Sequence, residues 1–237
     1  MKKTFAVFCT ILLLSCAAMA QVSTAASKVY APFWFGLGNQ TTLVVIGQGT
    51  IASWSYYNNY GVGGTGSLPL KGGRLVLVDT GGNNPLEDPM LLGFYEVSLD
   101  DGMPLAYSII QSVDGKRMAA TASTAEKSFF FIPSIESEGT IWLVNPSSKP
   151  VQIDFKPVLP RGAKQVPVTR FLRAGEFTTF SLAELVQVSP NLEKIVVQAS
   201  DPIALVVFQG GAVIPVFPGK EDSVSSQRIT SWSVPIQ

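Results

Sequence analysis

The 237-residue chain contains no histidine, and its two cysteines, Cys9 and Cys16, both lie within the first 20 residues. The lack of histidine removes the usual general base near neutral pH and every Ser-His-Asp triad. The chain also has neither a Ser-x-x-Lys spacing nor a GxxxxGK[ST] phosphate loop. We therefore expect a non-enzymatic protein without a cofactor.

Charge is scarce as well: 14 % of the residues are charged, below the usual quarter. Basic and acidic residues number 17 each, so loss of the N-terminal Lys2 and Lys3 leaves 15 basic against 17 acidic residues. A slightly negative chain is a poor partner for nucleic acid or anionic lipid. We expect no nucleic-acid partner.

The first 20 residues have the pattern of a bacterial secretion signal. Lys2 and Lys3 precede an apolar run over 4–14, and Ala18 and Ala20 are the small residues that a signal peptidase reads. Cleavage after Ala20 predicts a secreted, periplasmic or cell-surface protein with no cysteine and hence no disulfide. The alternative is a lipoprotein signal, Leu13-Leu14-Ser15-Cys16, which would lipidate Cys16 and attach the protein to the outer membrane through that anchor alone.

The remaining chain repeats one β-rich pattern. Pro104-Leu105-Ala106-Tyr107-Ser108-Ile109-Ile110-Gln111 is echoed by Pro202-Ile203-Ala204-Leu205-Val206-Val207-Phe208-Gln209, and an internal echo of this kind indicates duplicated units. We predict a first copy over 21–120, a polar linker over 121–126 and a second copy over 127–237. Both copies begin with an aromatic strand, at 30–35 and at 129–133, followed by an apolar run at 42–47 and at 140–145.

Alternation within the copies predicts antiparallel sandwiches. Val151, Ile153 and Phe155 fall at period two and should share the core face of a strand that is wet on its other side. Further strands are predicted at 74–78 and 168–172. Capping patterns at Asn84-Pro85-Leu86-Glu87 and Ser181-Leu182-Ala183-Glu184 predict one short helical turn in each copy. The fold class is thus all-β, with two tandem sandwiches of about 90 residues each, the size of an immunoglobulin-like domain.

The second copy resembles immunoglobulin-like modules of bacterial secreted and cell-surface proteins. The resemblance covers about 129–217 and rests on the turn Val144-Asn145-Pro146-Ser147, the alternating strand, the short helical turn and a hairpin at Asp201-Pro202-Ile203-Ala204. It implies an extracellular location and the fold, and it carries over no catalytic residue. The first copy departs from the pattern, with Gly47-Gln48-Gly49 at the turn and a longer insertion after it.

Carboxylates offer two minor hypotheses. A glycosidase would need a facing pair drawn from Asp79, Glu87, Asp88, Asp100 and Asp101. We expect turn and cap roles for these residues instead, with Asp100 at a hairpin between two strands. Calcium is a weak alternative, because hard oxygens crowd one short loop at Asp79, Asn83, Glu87 and Asp88.

The segment 54–67 of the first copy is rich in Tyr, Asn, Gly and Ser, a composition typical of binding loops. We predict a partner-binding loop with Tyr57, Asn58, Asn59 and Tyr60 as its contact residues, Tyr57 and Tyr60 facing solvent. The alternative is that these aromatics pack at the sandwich end or at the seam between the copies.

Three functions follow from these observations. The leading hypothesis is a structural or adhesive protein that acts through contacts with a protein partner or with itself at the cell surface. The second is a carbohydrate-binding module in which the Tyr/Asn/Gly segment holds a polysaccharide. The third, and weakest, is a glycosidase that uses carboxylates alone.

Overall fold

The computed structural model describes residues 27–79, 90–134, 138–159, 166–186 and 192–219. The predicted signal over 1–20, the lipidation candidate Cys16, the cap at 84–87 and the calcium candidates Asn83, Glu87 and Asp88 lie outside these residues. The described residues are all-β, as predicted, and one four-residue helix lies among them. No helix among them has the length and hydropathy needed to span a bilayer.

The first half forms two antiparallel four-stranded sheets. Sheet A has the order β1-β6-β3-β4, and sheet B has the order β5-β2-β7-β8. The strands of sheet A are β1 (Val29–Phe35), β6 (Leu91–Leu99), β3 (Ile51–Asn58) and β4 (Gly61–Pro69). Those of sheet B are β5 (Arg74–Asp79), β2 (Gln40–Ile46), β7 (Leu105–Gln111) and β8 (Arg117–Thr121).

The second half repeats this order around one long strand, β14 (Lys194–Gln209). Its first part pairs with β9 and β11 in sheet C, and its last part pairs with β10 and β15 in sheet D. Sheet C also contains β12 and β16, and sheet D also contains β13. The remaining bounds are β9 (Glu126–Phe131), β10 (Gly139–Val144), β11 (Val151–Val158), β12 (Val168–Leu172), β13 (Phe177–Ser181), β15 (Ala212–Ile214) and β16 (Phe217–Pro218).

Apart from β16, the two halves therefore match strand for strand. β9, the first part of β14, β11 and β12 stand in sheet C as β1, β6, β3 and β4 stand in sheet A. In the same way, β13, β10, the last part of β14 and β15 correspond to β5, β2, β7 and β8 of sheet B. β4 and β12 occupy equivalent edges.

Two predicted hairpins are wrong. The segment 201–204 lies inside β14, which continues from one sheet into the other across a register irregularity between Gln198 and Ile203. In the first half, β6 and β7 belong to different sheets, so Asp100 lies in a crossover between sheets. A strand that bends from sheet to sheet carries the same Asp and Pro punctuation as a turn, which is why the sequence pattern misled.

Each half of the chain has its own apolar core. Val151, Ile153 and Phe155 are fully buried between sheets C and D, so the predicted alternation is confirmed. The core of the first half packs β1, β3 and β6 against β2, β5 and β7. The four-residue helix α1 (Ala183–Val186) follows β13, and the Ser181 hydroxyl accepts a hydrogen bond from the Ala183 amide at 3.2 Å.

A third apolar cluster joins the outer faces of sheets A and D, which we call the seam. It unites Tyr30, Tyr57 and Phe94 of the first half with Trp142, Phe177 and their neighbours in the second. The rings of Phe94 and Phe177 meet edge to face with centroids 6.0 Å apart. The seam thus joins the two halves of the chain through apolar packing. The division of the chain at 121–126 stays a prediction, although β8 ends at Thr121 and β9 begins at Glu126.

Candidate interaction site on sheet A

The predicted binding segment is a β-hairpin. β3 and β4 pair from Ile51 and Pro69 to Asn58 and Gly61, so only Asn59 and Tyr60 form the turn. Four glycines within β4 weaken the strand signal in the sequence, and this explains why 54–67 reads as a loop.

The amides at the hairpin tip are used inside the molecule. The Asn58 side chain is buried and its Oδ1 accepts a hydrogen bond from the Tyr60 amide at 2.8 Å. Asn59 binds both backbone groups of Leu92. The Asn59 backbone N–H donates to the Leu92 carbonyl, and the Asn59 Oδ1 accepts from the Leu92 backbone N–H, each at 3.2 Å. Asn58 therefore closes the turn, and Asn59 holds it against β6.

The two tyrosines have opposite environments. Tyr60 is 72 % exposed at the turn, as predicted, but Tyr57 is only 8 % exposed and belongs to the seam. The prediction that Tyr57 faces solvent is wrong, because sheet D covers the outer face of sheet A at this position. A single sandwich would leave Tyr57 accessible, and its sequence contains no sign of the second layer.

Glu96 is the charged centre of this face, and sequence reasoning missed it. Its Oε2 accepts hydrogen bonds from the hydroxyls of Tyr30 and Tyr57, at 3.0 and 3.1 Å, while Oε1 lies 2.7 Å from the Lys28 ammonium. Burial, the largest cause, and the nearby Glu96 carboxylate together raise the pKa of Tyr57 to about 12. The same two causes raise the pKa of Tyr30 by a larger amount. Both tyrosines are therefore neutral donors at any physiological pH.

A row of hydroxyls extends from Glu96 toward β4. Ser53 and Ser67 face each other across β3 and β4 with their Oγ atoms 2.9 Å apart. These two serines line a surface depression of about 310 Å³ on the outer face of sheet A. The other polar residues of its lining are Lys28, Ser55, Thr65, Glu96 and Ser98. Such a surface offers several hydrogen-bonding hydroxyls beside the Lys28–Glu96 ion pair.

Aromatic rings from β3 cover the glycines of β4 on the opposite face. A Cβ at Gly66 would lie 2.4 Å from the Trp54 ring, and one at Gly63 would lie 1.7 Å from the Tyr56 ring. The glycines are therefore required by close packing, and the rings supply the contact area that the strand lacks. Both rings pack against the first core.

The edge of β4 is long, exposed and uncharged. Its nine residues contain no acidic or basic side chain, and β3 is its one strand partner among the described residues. The equivalent edge β12 has five residues and carries charged side chains. Arg170 forms an ion pair with Glu184, and the Thr169 hydroxyl donates a hydrogen bond to the Asp154 carboxylate at 2.7 Å. Charges on edges oppose strand addition, so the repeat protects one of its two equivalent edges and leaves the other open.

A second cavity of about 670 Å³ opens beside the seam. Trp34 and Met90 of the first half face Trp142 and Phe208 of the second, with the Trp142 and Phe208 ring centroids 4.5 Å apart. Hydroxyl and amide groups on its wall come from Thr140, Thr179, Ser181 and Gln209.

Among the carboxylates named from the sequence, Glu87 and Asp88 lie outside the described residues, and Asp100 has a structural role. Asp100 accepts hydrogen bonds from the amides of Thr50 and Ile51 at 2.8 and 3.0 Å, and these bonds, led by the one from Ile51, lower its pKa. Asp100 thus ties the crossover to the start of β3. Asp79 is the last residue of β5, and Asp101 follows Asp100 in the crossover. Within the described residues no three acidic, histidine or cysteine side chains form a metal-binding group.

Compared with known proteins, the chain matches no protein-family model, no curated protein and no solved structure.

Proposed function

We propose that this chain is an exported, non-enzymatic structural or adhesive protein that acts through protein contacts at the open edge of β4. The observation that carries the proposal is the contrast between two equivalent edges, β4 without charge and β12 with an ion pair. An uncharged edge favours the addition of a strand from a partner, with main-chain hydrogen bonds as the main source of affinity. The signal-like N-terminus supports an extracellular location.

For the fold, we propose two tandem immunoglobulin-like sandwiches of a permuted kind. The pairs β2 with β5 and β3 with β6 stand where immunoglobulin domains pair strands B with E and C with F. The outer strands differ, since β1 lies beside β6 where strand G would be, and β7 lies beside β2 where strand A would be. The central pairs support the resemblance, and the exchange of β1 and β7 distinguishes these sheets from the usual immunoglobulin order.

The proposal is tested by selecting, from a displayed random library, peptides that bind the purified protein. We expect selected peptides to lose at least ten-fold in affinity with Thr65→Lys, because a charge then stands on the open edge. The matched control, Thr169→Lys, places the same charge on β12 beside Asp154 and should leave affinity unchanged. Failure to select any peptide whose binding depends on Thr65 contradicts the proposal.

Carbohydrate binding is the second candidate, and the cavity beside the seam favours it over the hairpin tip. Trp34 and Trp142 supply aromatic faces there, with the hydroxyls of Thr140 and Thr179 beside them. The tip itself exposes Tyr60 but buries Tyr57, so it lacks the paired rings first expected. A glycan array with the purified protein and with Trp34→Ala tests this candidate: a glycan bound by the first and not by the second supports it.

A further inference from the structure

We propose that the partner at β4 is a second copy of this chain, paired antiparallel across a two-fold axis to give one continuous eight-stranded sheet. The inference rests on the proposed function and adds the identity of the partner. The axis passes at Gly66, so that Thr65 of each copy lies opposite Ser67 of the other.

Backbone geometry determines which groups of β4 are free to pair. The Leu70 amide donates to the Thr50 carbonyl at 2.8 Å, and hydrogen-bonded and non-bonded pairs alternate from that point along an antiparallel ladder. Leu68 and Gly66 therefore bond to β3, whereas Thr65 and Ser67 direct their N–H and C=O groups outward. The contact between the Ser53 and Ser67 hydroxyls, 2.9 Å, agrees, because side chains lie closest in non-bonded pairs.

Pro69 also belongs to the alternate positions of β4 whose backbone groups point away from β3. Pro69 falls in the outward-facing set with Thr65 and Ser67, and an edge strand tolerates proline only where no ladder hydrogen bond is required. Pro69 also limits the pairing at that end, because it offers a carbonyl but no N–H. The two outward residues before it define the register, with Thr65 opposite Ser67 of the other copy and four N–H···O bonds across the axis.

The absence of charged side chains on β4 favours a second copy of the chain as the partner. A two-fold axis places the side chains close to it near their own equivalents, so a charge close to the axis would lie near a like charge. β4 carries none, and Gly66 has no Cβ to oppose its counterpart at the axis. On β12 the same arrangement would bring two copies of Arg170 together. The edge that can pair with itself is thus the edge that the repeat leaves open.

Both faces of the joined sheet continue without interruption. On the core side, the Trp54 rings that cover Gly66 approach each other across the axis and extend the apolar layer from copy to copy. On the outer side, the hydroxyl rows that include Ser53 and Ser67 meet end to end. The contact therefore joins apolar to apolar and polar to polar.

Sedimentation equilibrium over 1–200 µM protein tests the inference in the wild type, Thr65→Lys, Thr65→Pro and the control Thr169→Lys. We expect a monomer–dimer equilibrium in the wild type and in Thr169→Lys, with dimerisation at least ten-fold weaker in both Thr65 variants. Thr65→Pro deletes an outward N–H, whereas Thr65→Lys keeps the backbone intact and remains informative if the proline variant does not fold. Hydrogen exchange should slow at the Thr65 and Ser67 amides as the wild type is concentrated.

A wild type that stays monomeric, or a Thr65→Lys variant that dimerises as tightly as the wild type, overturns self-pairing. If library peptides still bind the monomer in a Thr65-dependent manner, the second copy is the wrong partner but the proposed function stands. If neither peptides nor a second copy bind at β4, both proposals fail.

Discussion

Replacement of Tyr57 by alanine should destabilise the whole protein, whereas replacement of Tyr60 should not. Tyr57 is 8 % exposed in the seam, and its hydroxyl donates to Glu96 at 3.1 Å. Truncation of a buried aromatic ring to alanine costs about 3–5 kcal/mol, and an exposed side chain such as Tyr60 costs about 0.5 kcal/mol or less. For a chain of this size, a loss of about 3 kcal/mol lowers the Tm by roughly 6–12 °C.

A third variant separates the ring from its hydroxyl. Tyr57→Phe keeps the seam filled and removes one hydrogen bond to a carboxylate. We expect a cost of about 1.5 kcal/mol, the lower end for a bond to a charged group, because Glu96 retains Tyr30 and Lys28 as partners. The order of stability should therefore be wild type and Tyr60→Ala, then Tyr57→Phe, then Tyr57→Ala.

Thermal unfolding by circular dichroism, with urea unfolding for the free energies, measures this order. The ring of Phe177, which contacts both Phe94 and Trp142, gives an internal check: Phe177→Leu should destabilise in the same way from the other side of the seam. The reasoning is refuted if Tyr57→Ala unfolds within 1 °C of the wild type, since the seam would then contribute nothing to stability. A loss of stability in Tyr60→Ala equal to that in Tyr57→Ala would also refute it.

Three further predictions concern pH, packing and anchoring. Burial raises the pKa of Tyr57 to about 12, so the unfolded chain loses the hydroxyl proton at a lower pH than the folded protein does. The contribution of this group to the free energy of unfolding is complete below pH 10 and should fall between pH 10 and 12 by about 1.4 kcal/mol per pH unit. Urea titrations should find a smaller slope in Tyr57→Phe. Gly66→Ala should destabilise because its methyl group would lie 2.4 Å from the Trp54 ring, whereas Gly64→Ala, whose nearest atom is the Tyr56 hydroxyl at 3.4 Å, should be tolerated, and equal Tm values for the two would contradict this packing. Cys16→Ser should leave the mature mass and the soluble export of the protein unchanged if cleavage follows Ala20, and mass spectrometry that finds an acylated N-terminus at Cys16 in the wild type would contradict that prediction.

The sequence alone determined the local elements whose signal lies within a few residues. Alternation at Val151, Ile153 and Phe155 identified a half-buried strand, because side chains on a strand point to opposite faces in turn. The echo of 104–111 in 202–209 marked corresponding strands, β7 and the last part of β14, in the two halves. The Asn145 turn also follows from local chemistry: its side-chain amide donates to the Lys149 carbonyl at 2.7 Å and its Oδ1 accepts from the Ser147 amide at 3.0 Å.

Tertiary structure decided what each outer face touches. Nothing near Tyr57 in the chain indicates that a second pair of sheets covers sheet A, because the covering residues Trp142 and Phe177 lie about 85 and 120 positions later in the sequence. Sheet order likewise decided that β4 is an edge and that β12 is its equivalent, since pairing between distant strands leaves no periodic mark in either one. Residue type predicts how a strand buries one side; the neighbour on its other side is a property of the assembled sheets.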